Sequence, residues 1–413
     1  MSISRALPRV DKKLHGDLPN RPEPGKRMHQ EEVLRKGLLA EIESIAAIVA
    51  GHAAASEALG RLDEATMAAL RTTRLLRFCS PRELGGLEAD PVTQLLVLEA
   101  IARLDASASW TVGILAGATA TLGAYLPIAT SRRLFADTIP LVVGSLLPKG
   151  SAERVTGGYR VRGRWPYGSG IYHVKWVAAG AVIAGRPIME ARVVVLPREQ
   201  VVIHDNWQVA GLRASGSSDY SIEDQFVPDA MTFSFEDLLM GKATTGGPAF
   251  RLGTPAWVIS FHIGIALGIA RRALDEILVQ ATEKGRGFPP SGLSAQPHVQ
   301  FALGKAEIEL AAARAYGIRV MSDLYTEAQT GCVPPPARQA EVRAAGSYIT
   351  EVAQRVTTAA FQAAGGTALF DANPLQRCFR DIAAASQHFA VSQGAYRAVG
   401  MFKLKQPDAN PML

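Results

Sequence analysis

Cysteine is scarce in this chain. Cys79, Cys332 and Cys378 are the only three in 413 residues. They are odd in number and far apart, which excludes a disulfide-stapled scaffold. No signal-peptide pattern opens the sequence either, so the expected setting is a reducing cytoplasm. Charged residues are also sparing, at 20% against 48% apolar. That excludes a mostly disordered chain and leaves ample material for a core.

Familiar single motifs are missing as well. No HExxH or paired CxxC occurs among eight scattered histidines, so no protein-held metal is expected. No GxGxxG follows a strand; Gly168-Ser169-Gly170-Ile171-Tyr172-His173 comes nearest, and its last position is wrong. Gly241-Lys242 lacks the upstream glycine and the Ser/Thr of a P-loop, and there is no GxSxG nucleophile elbow. An enzyme with this sequence would need a cofactor held by other than Rossmann means.

The net charge of +6 does not point to nucleic acid. Residues 1–28 hold Arg5, Arg9, Lys12, Lys13, Arg21, Lys26 and Arg27 against Asp11, Asp17 and Glu23, which is most of the excess. They read as a solvated basic arm rich in Pro and Gly, and no nucleic-acid motif accompanies them. Residues 106–131 carry no charge and approach the length of a membrane span. Thr111, Thr119, Thr121, Pro127 and several glycines favour a buried pair of closely packed helices instead.

Three compositional blocks follow the tail (1–28). In 29–140, Leu34, Leu38, Leu39, Ile42, Ile45 and Ile48 recur at helical spacing in a helix over 30–59, and further helices are expected at 61–74, 91–103 and 107–125. In 141–236 the pattern turns to short β-branched or alternating runs at 159–165, 176–183, 191–196, 201–207 and 220–227, an antiparallel β-domain. In 237–413 long helices are expected at 256–283, 297–330, 336–364 and 374–402, joined by short Pro/Gly connections into an up-down four-helix bundle.

Three segments in this α–β–α order resemble the acyl-CoA dehydrogenase superfamily. They are Arg164-Trp165-Pro166-Tyr167-Gly168-Ser169-Gly170 with Trp176, Gly211-Leu212-Arg213-Ala214-Ser215-Gly216-Ser217-Ser218-Asp219 with Phe226-Val227-Pro228, and Gly365-Gly366 through Asn373-Pro374-Leu375-Gln376-Arg377 to Arg380-Asp381. The resemblance implies an α+β fold: an N-terminal helical domain, a central antiparallel β-barrel and a C-terminal four-helix bundle.

A dehydrogenase of this family removes an α-proton with a carboxylate. Here Ala372 stands where that Glu belongs, and no Asp or Glu occurs between Asp237 and Asp275, the other place it is found. The chain instead resembles the two-component, reduced-flavin-dependent monooxygenases of the same fold, through Trp165-Pro166-Tyr167-Gly168-Ser169-Gly170 and the run from Asn373 to His388. That resemblance implies reduced FAD or FMN from a separate NAD(P)H–flavin reductase. It further implies a C4a-hydroperoxyflavin formed with O2, an aromatic or heteroaromatic small molecule as substrate, and a homotetramer built by the bundles.

It also implies roles. Ser169, through its hydroxyl or the neighbouring backbone, would meet flavin N5, and otherwise it is a turn serine. His388, titrating near neutrality, would be the catalytic base or donor; otherwise it is a core histidine on a helix. Trp165, Tyr167, Arg213, Ser215, Ser217, Arg286, Gly365 and Gly366 would bind flavin; otherwise Trp165 is barrel core, Arg213 to Ser217 a solvated loop and Gly365-Gly366 a helix end. Trp110, Trp257, Phe261, His262 and Phe389 would line an apolar substrate pocket, although Gly264 and Gly268 beside His262 also suit close helix packing. The alternatives are an acyl-CoA dehydrogenase-like oxidoreductase with a non-standard base and a catalytically inert assembly protein.

Overall fold

The computed structural model describes residues 24–283, 285–286 and 291–412. The basic arm falls almost entirely outside them. Helices begin where short acids cap them. After α1 (Pro24–Leu59) comes α2 (Glu64–Arg71), α3 (Pro91–Leu104), α4 (Ala106–Tyr125) and α5 (Ile128–Leu134). The Asp63, Asp90 and Asp105 carboxylates accept the first free backbone N–H groups of α2, α3 and α4. The uncharged α4 is buried along nearly its whole length, as a core helix of this block.

The middle block is one sheet of seven strands: β1 (Val142–Val155), β2 (Gly158–Trp165), β3 (Trp176–Ile183), β4 (Arg192–Pro197), β5 (Val202–Ile203), β6 (Tyr220–Pro228) and β7 (Thr232–Ser234). Their order is β5-β6-β2-β1-β3-β4-β7. Two features correct the expectation. The sheet is mixed, because β1 and β3 run parallel, and it is open, with β5 and β7 at its edges rather than closed into a barrel. The cause is β1. Its Pro148, Gly144 and Gly150 hide any period-two pattern, and register shifts between Ser145, Pro148 and Gly150 interrupt its pairing. Once β1 lies between β2 and β3, the connection 166–175 must cross over it, and that connection carries Ser169.

A short α6 (Phe235–Leu239) leads to the C-terminal helices α7 (Thr254–Glu283), α8 (Pro297–Gln329), α9 (Pro336–Ala364), α10 (Pro374–Ala385) and α11 (Gly394–Lys403). The fourth long helix expected over 374–402 is therefore broken between Ala385 and Gly394. Tertiary contacts hold the break. Ser347 of α9 donates to the Ser392 carbonyl (3.1 Å) and accepts from its N–H (3.0 Å), while the buried Arg343 donates to the Phe389 carbonyl (3.4 Å).

Glycine sets how near α7 comes to its neighbours. A Cβ at Gly264 would stand 2.3 Å from the Leu95 carbonyl oxygen, and one at Gly268 would stand 2.4 Å from that of Glu99. These two glycines thus let α7 lie directly on the backbone of α3. On α4, Gly117 leaves the notch that the Phe261 ring fills, where a Cβ would be 2.5 Å away.

Candidate active site

The loop over the sheet is pinned from both sides. Gly168 N–H donates to the Ser218 carbonyl (2.9 Å), Gly170 N–H to that of Ser215 (2.8 Å) and Ser169 N–H to that of Tyr167 (2.9 Å). The N–H groups of Gly168, Ser169 and Gly170 are thus already engaged within the protein. Gly170, at φ 77°, turns the chain against Thr111 of α4, where a Cβ would meet the Thr111 methyl at 3.1 Å.

Ser169, Ser215 and Ser217 form a chain of hydroxyls. Ser169 Oγ lies 2.7 Å from Ser217 Oγ, which lies 2.7 Å from Ser215 Oγ, and Ser215 donates to the Leu212 carbonyl at 2.7 Å. At the other end the Trp110 indole N–H donates to Ser169 Oγ (3.2 Å). All three serines are buried.

Trp110 joins this chain to two histidines. Its ring meets His262 edge-on at 6.0 Å and His388 at 5.5 Å between centroids. The two imidazoles stack at 5.7 Å, and Phe389 leans on His388 at 4.6 Å. Burial pushes His388 down to about 4, and burial together with the neighbouring His388 pushes His262 down to about 3. Both are neutral at pH 7. The expectation that His388 titrates near neutrality is corrected on that ground, and its place is the turn after α10 rather than a helix. The Ala390 N–H donates to His388 Nδ1 at 3.3 Å, so the neutral ring carries its proton on Nε2 and acts as a donor.

The remaining residues divide. Tyr167 is 68% exposed at φ 66°, edge-on to the half-buried Trp207 at 6.3 Å. Arg213 is exposed on the same short turn as Ser215. Trp165 goes to the core instead. It is fully buried, stacked on Tyr220 at 5.7 Å, and donates its indole N–H to the Gly180 carbonyl at 2.8 Å. Trp257 and Phe261 are likewise buried by packing, Trp257 on Phe250 and Phe261 in the α4 notch. Phe389 is half exposed beside His388. Gly365, at φ 62°, ends α9, and nothing lies within 4 Å of a Cβ built at Gly366. Among the described residues no hydrogen bond or ring contact joins either glycine to Ser169. The Arg286 side chain lies outside the described residues.

Two features escaped sequence reasoning. The first is a set of buried atoms without hydrogen-bond partners around the loop: His262 Nε2, Thr111 Oγ1 and His173 Nε2. No sequence signal marks an unpaired atom. The second is the contact made by Asp381, whose buried carboxyl group accepts the Leu212 N–H at 2.6 Å and so braces the turn that starts the serine chain. Leu212 adopts φ 53°, a strained value for a leucine, and Gly211 beside it packs on the Arg380 backbone. Glu57 of α1 ties the same helix start through Arg377 (2.7 Å) and Arg380 (2.5 Å).

Unpaired polar atoms, the exposed Tyr167 ring beside half-buried Trp207 and a hydroxyl with a spare lone pair offer contacts to a planar aromatic group with a polar edge. The "Acyl-CoA dehydrogenase, N-terminal domain" family matches residues 39–129, and the "Acyl-CoA dehydrogenase, C-terminal domain" family matches 260–393. The indole-3-acetate monooxygenase of Pseudomonas putida is 30% identical over 82% of this chain and 86% of its own. The flavin-dependent monooxygenase oxygenase subunit HsaA of Rhodococcus jostii is 28% identical over 87% of this chain and 96% of its own. The solved structure of XiaF from Streptomyces, in complex with FADH2 and glycerol, superposes with a TM-score of 0.87 at 24% identity, covering 94% of this chain and 99% of that one. The chain belongs to the flavin-dependent monooxygenases built on the acyl-CoA dehydrogenase fold, as an oxygenase component working with flavin.

Proposed function

We propose that this oxygenase hydroxylates an aromatic or heteroaromatic small molecule bearing a polar ring substituent, beside the cluster of Trp110, His262, His388 and Ser169. The observation that carries the reading is the unpaired, buried Nε2 of His262, stacked against a second neutral histidine and facing an indole. Such surroundings favour a flat apolar substrate with one polar group to satisfy that nitrogen. The relative named for indole-3-acetate supports an aromatic substrate.

Reduced FAD or FMN, when bound, supplies two electrons, so that one atom of O2 enters the substrate and the other leaves as water. The protein's share is positional. Ser169 would offer a lone pair to the flavin, and Tyr167, Trp207 and Arg213 would help to hold it. The roles assigned to Arg286, Gly365 and Gly366 rest on the family resemblance. His388 donates from Nε2, His262 holds the substrate's polar group, and the close-packed α4–α7 wall excludes water. A separate NAD(P)H-dependent reductase supplies the flavin, in keeping with relatives named as oxygenase subunits. We further propose a cytoplasmic homotetramer, a bundle-like C-terminal part, and divisions of the chain near residues 28, 140 and 236.

The test supplies the protein with reduced flavin from an added reductase under 18O2, together with a panel of phenols and indoles. The expected result is one labelled oxygen atom in a hydroxylated product. Flavin reoxidation with hydrogen peroxide as the sole product across the panel would overturn the substrate class.

A further inference from the structure

The serine chain has one proton per hydroxyl, and this fixes its direction. A carbonyl only accepts, so the Ser215 proton is committed to Leu212 O. Ser215 must then accept from Ser217, and Ser217 must accept from Ser169. Ser169 therefore points its own proton away from Trp110, while one of its lone pairs already receives the indole N–H. What remains of Ser169 for a ligand is one lone pair and no proton.

We propose that Ser215 and Ser217 are redox-selecting positioning residues: by orienting the Ser169 hydroxyl as an acceptor, they make this site prefer a flavin whose facing nitrogen carries hydrogen. N5 is the flavin edge atom whose hydrogen-bonding sense inverts with redox state. It is N–H in reduced flavin and a bare lone pair in oxidised flavin. A lone pair on Ser169 attracts the first and repels the second, so reduced flavin is retained and spent flavin released. This rests on the flavin reading above, with Ser169 facing the N5 edge. The anchor lies on the carbonyl itself: Leu212 O also receives the Ser215 N–H at 3.0 Å and the Trp207 indole N–H at 3.2 Å, while Asp381 holds the preceding peptide through the Leu212 N–H at 2.6 Å.

The experiment measures dissociation constants of oxidised FAD and anaerobically photoreduced FAD for the full-length protein, by ultrafiltration, with FMN in parallel. Wild type should bind the reduced form more tightly. Ser217→Ala frees the Ser169 proton to face the ligand, and Ser215→Ala lets the chain reverse. Each should lower the oxidised-to-reduced ratio of dissociation constants by about fivefold, the value of roughly one hydrogen bond. Ser217→Thr keeps a hydroxyl and should restore it. Thermal melting confirms that each variant is folded, and Ser215→Ala carries the test if Ser217→Ala is not. An unchanged ratio in a folded alanine variant, or a wild type that binds both forms equally, overturns the proposal and leaves the monooxygenase reading standing. A wild type that binds neither form overturns both.

Discussion

His262 on α7 and His388 in the turn after α10 stack with their rings 5.7 Å apart and 22° from parallel, and both meet the edge of Trp110. Two imidazoles at this separation cannot both be charged without mutual repulsion, and burial already disfavours the charge on each. The pair is built to be neutral.

Acid should therefore destabilise the protein through these rings. Their folded values, about 3 and about 4, lie below the ordinary 6.5. Between these limits the unfolded chain binds more protons, so stability is full above about 6.5 and is lost as pH falls towards 4. In chemical denaturation at pH 7.5 and pH 5, His388→Asn should show a smaller loss than wild type. An equal loss would show that the rings do not contribute.

Asp381 should have the opposite pH signature. Burial raises its carboxyl to about 7, against the backbone hydrogen bond from Leu212. Stability from this group is present below about 4 and is lost as pH rises through 7. Asp381→Asn keeps an acceptor for Leu212 and should flatten the decline between pH 5 and pH 8. Asp381→Ala, which strands the Leu212 N–H, should cost about 1–3 kcal/mol at pH 5.

Trp110→Phe keeps a ring against both histidines and removes the N–H that reaches Ser169. The expected outcome is a folded protein whose product yield per reduced flavin falls about fivefold, with hydrogen peroxide rising to match. Quantifying product and peroxide in the same reaction checks it, and unchanged coupling would separate the indole N–H from function.

Gly264→Ala should destabilise the fold without touching the site's polar atoms. Its Cβ would meet the Leu95 carbonyl, and α3 can only yield by moving away from α7. A cost of about 2 kcal/mol or more is expected from overpacking against backbone, read as a lowered melting temperature. A neutral result would mean that α3 and α7 can separate more readily than their packing implies.

Much of this was legible beforehand, and for identifiable reasons. Of the residues read as a helical stripe, Leu38, Ile42 and Ile45 are buried by α1, whereas Ile48 is exposed and Val49 takes the next buried place. The serine motif at 215–217 and the loop at 167–170 were each recognisable, because hydroxyls and glycines in a fixed order are local features. Trp110, His262 and His388 could be named as candidates singly, and nothing in their spacing said that they meet.

The sequence by itself determined the spans of most long helices, such as 336–364, and carried the resemblance to the flavoprotein family, both of which depend on neighbours along the chain. Tertiary structure decided the rest. The strand β1 entered the sheet despite Pro148 because β2 and β3 hydrogen-bond it from both sides. The last long helix broke because Arg343 and Ser347 satisfy the freed backbone around Phe389 and Ser392. Trp165 went to the core because Gly150 and Gly163 leave room for its ring. The histidines lost their charge because folding removed water from around them, a quantity that no position in a linear chain possesses.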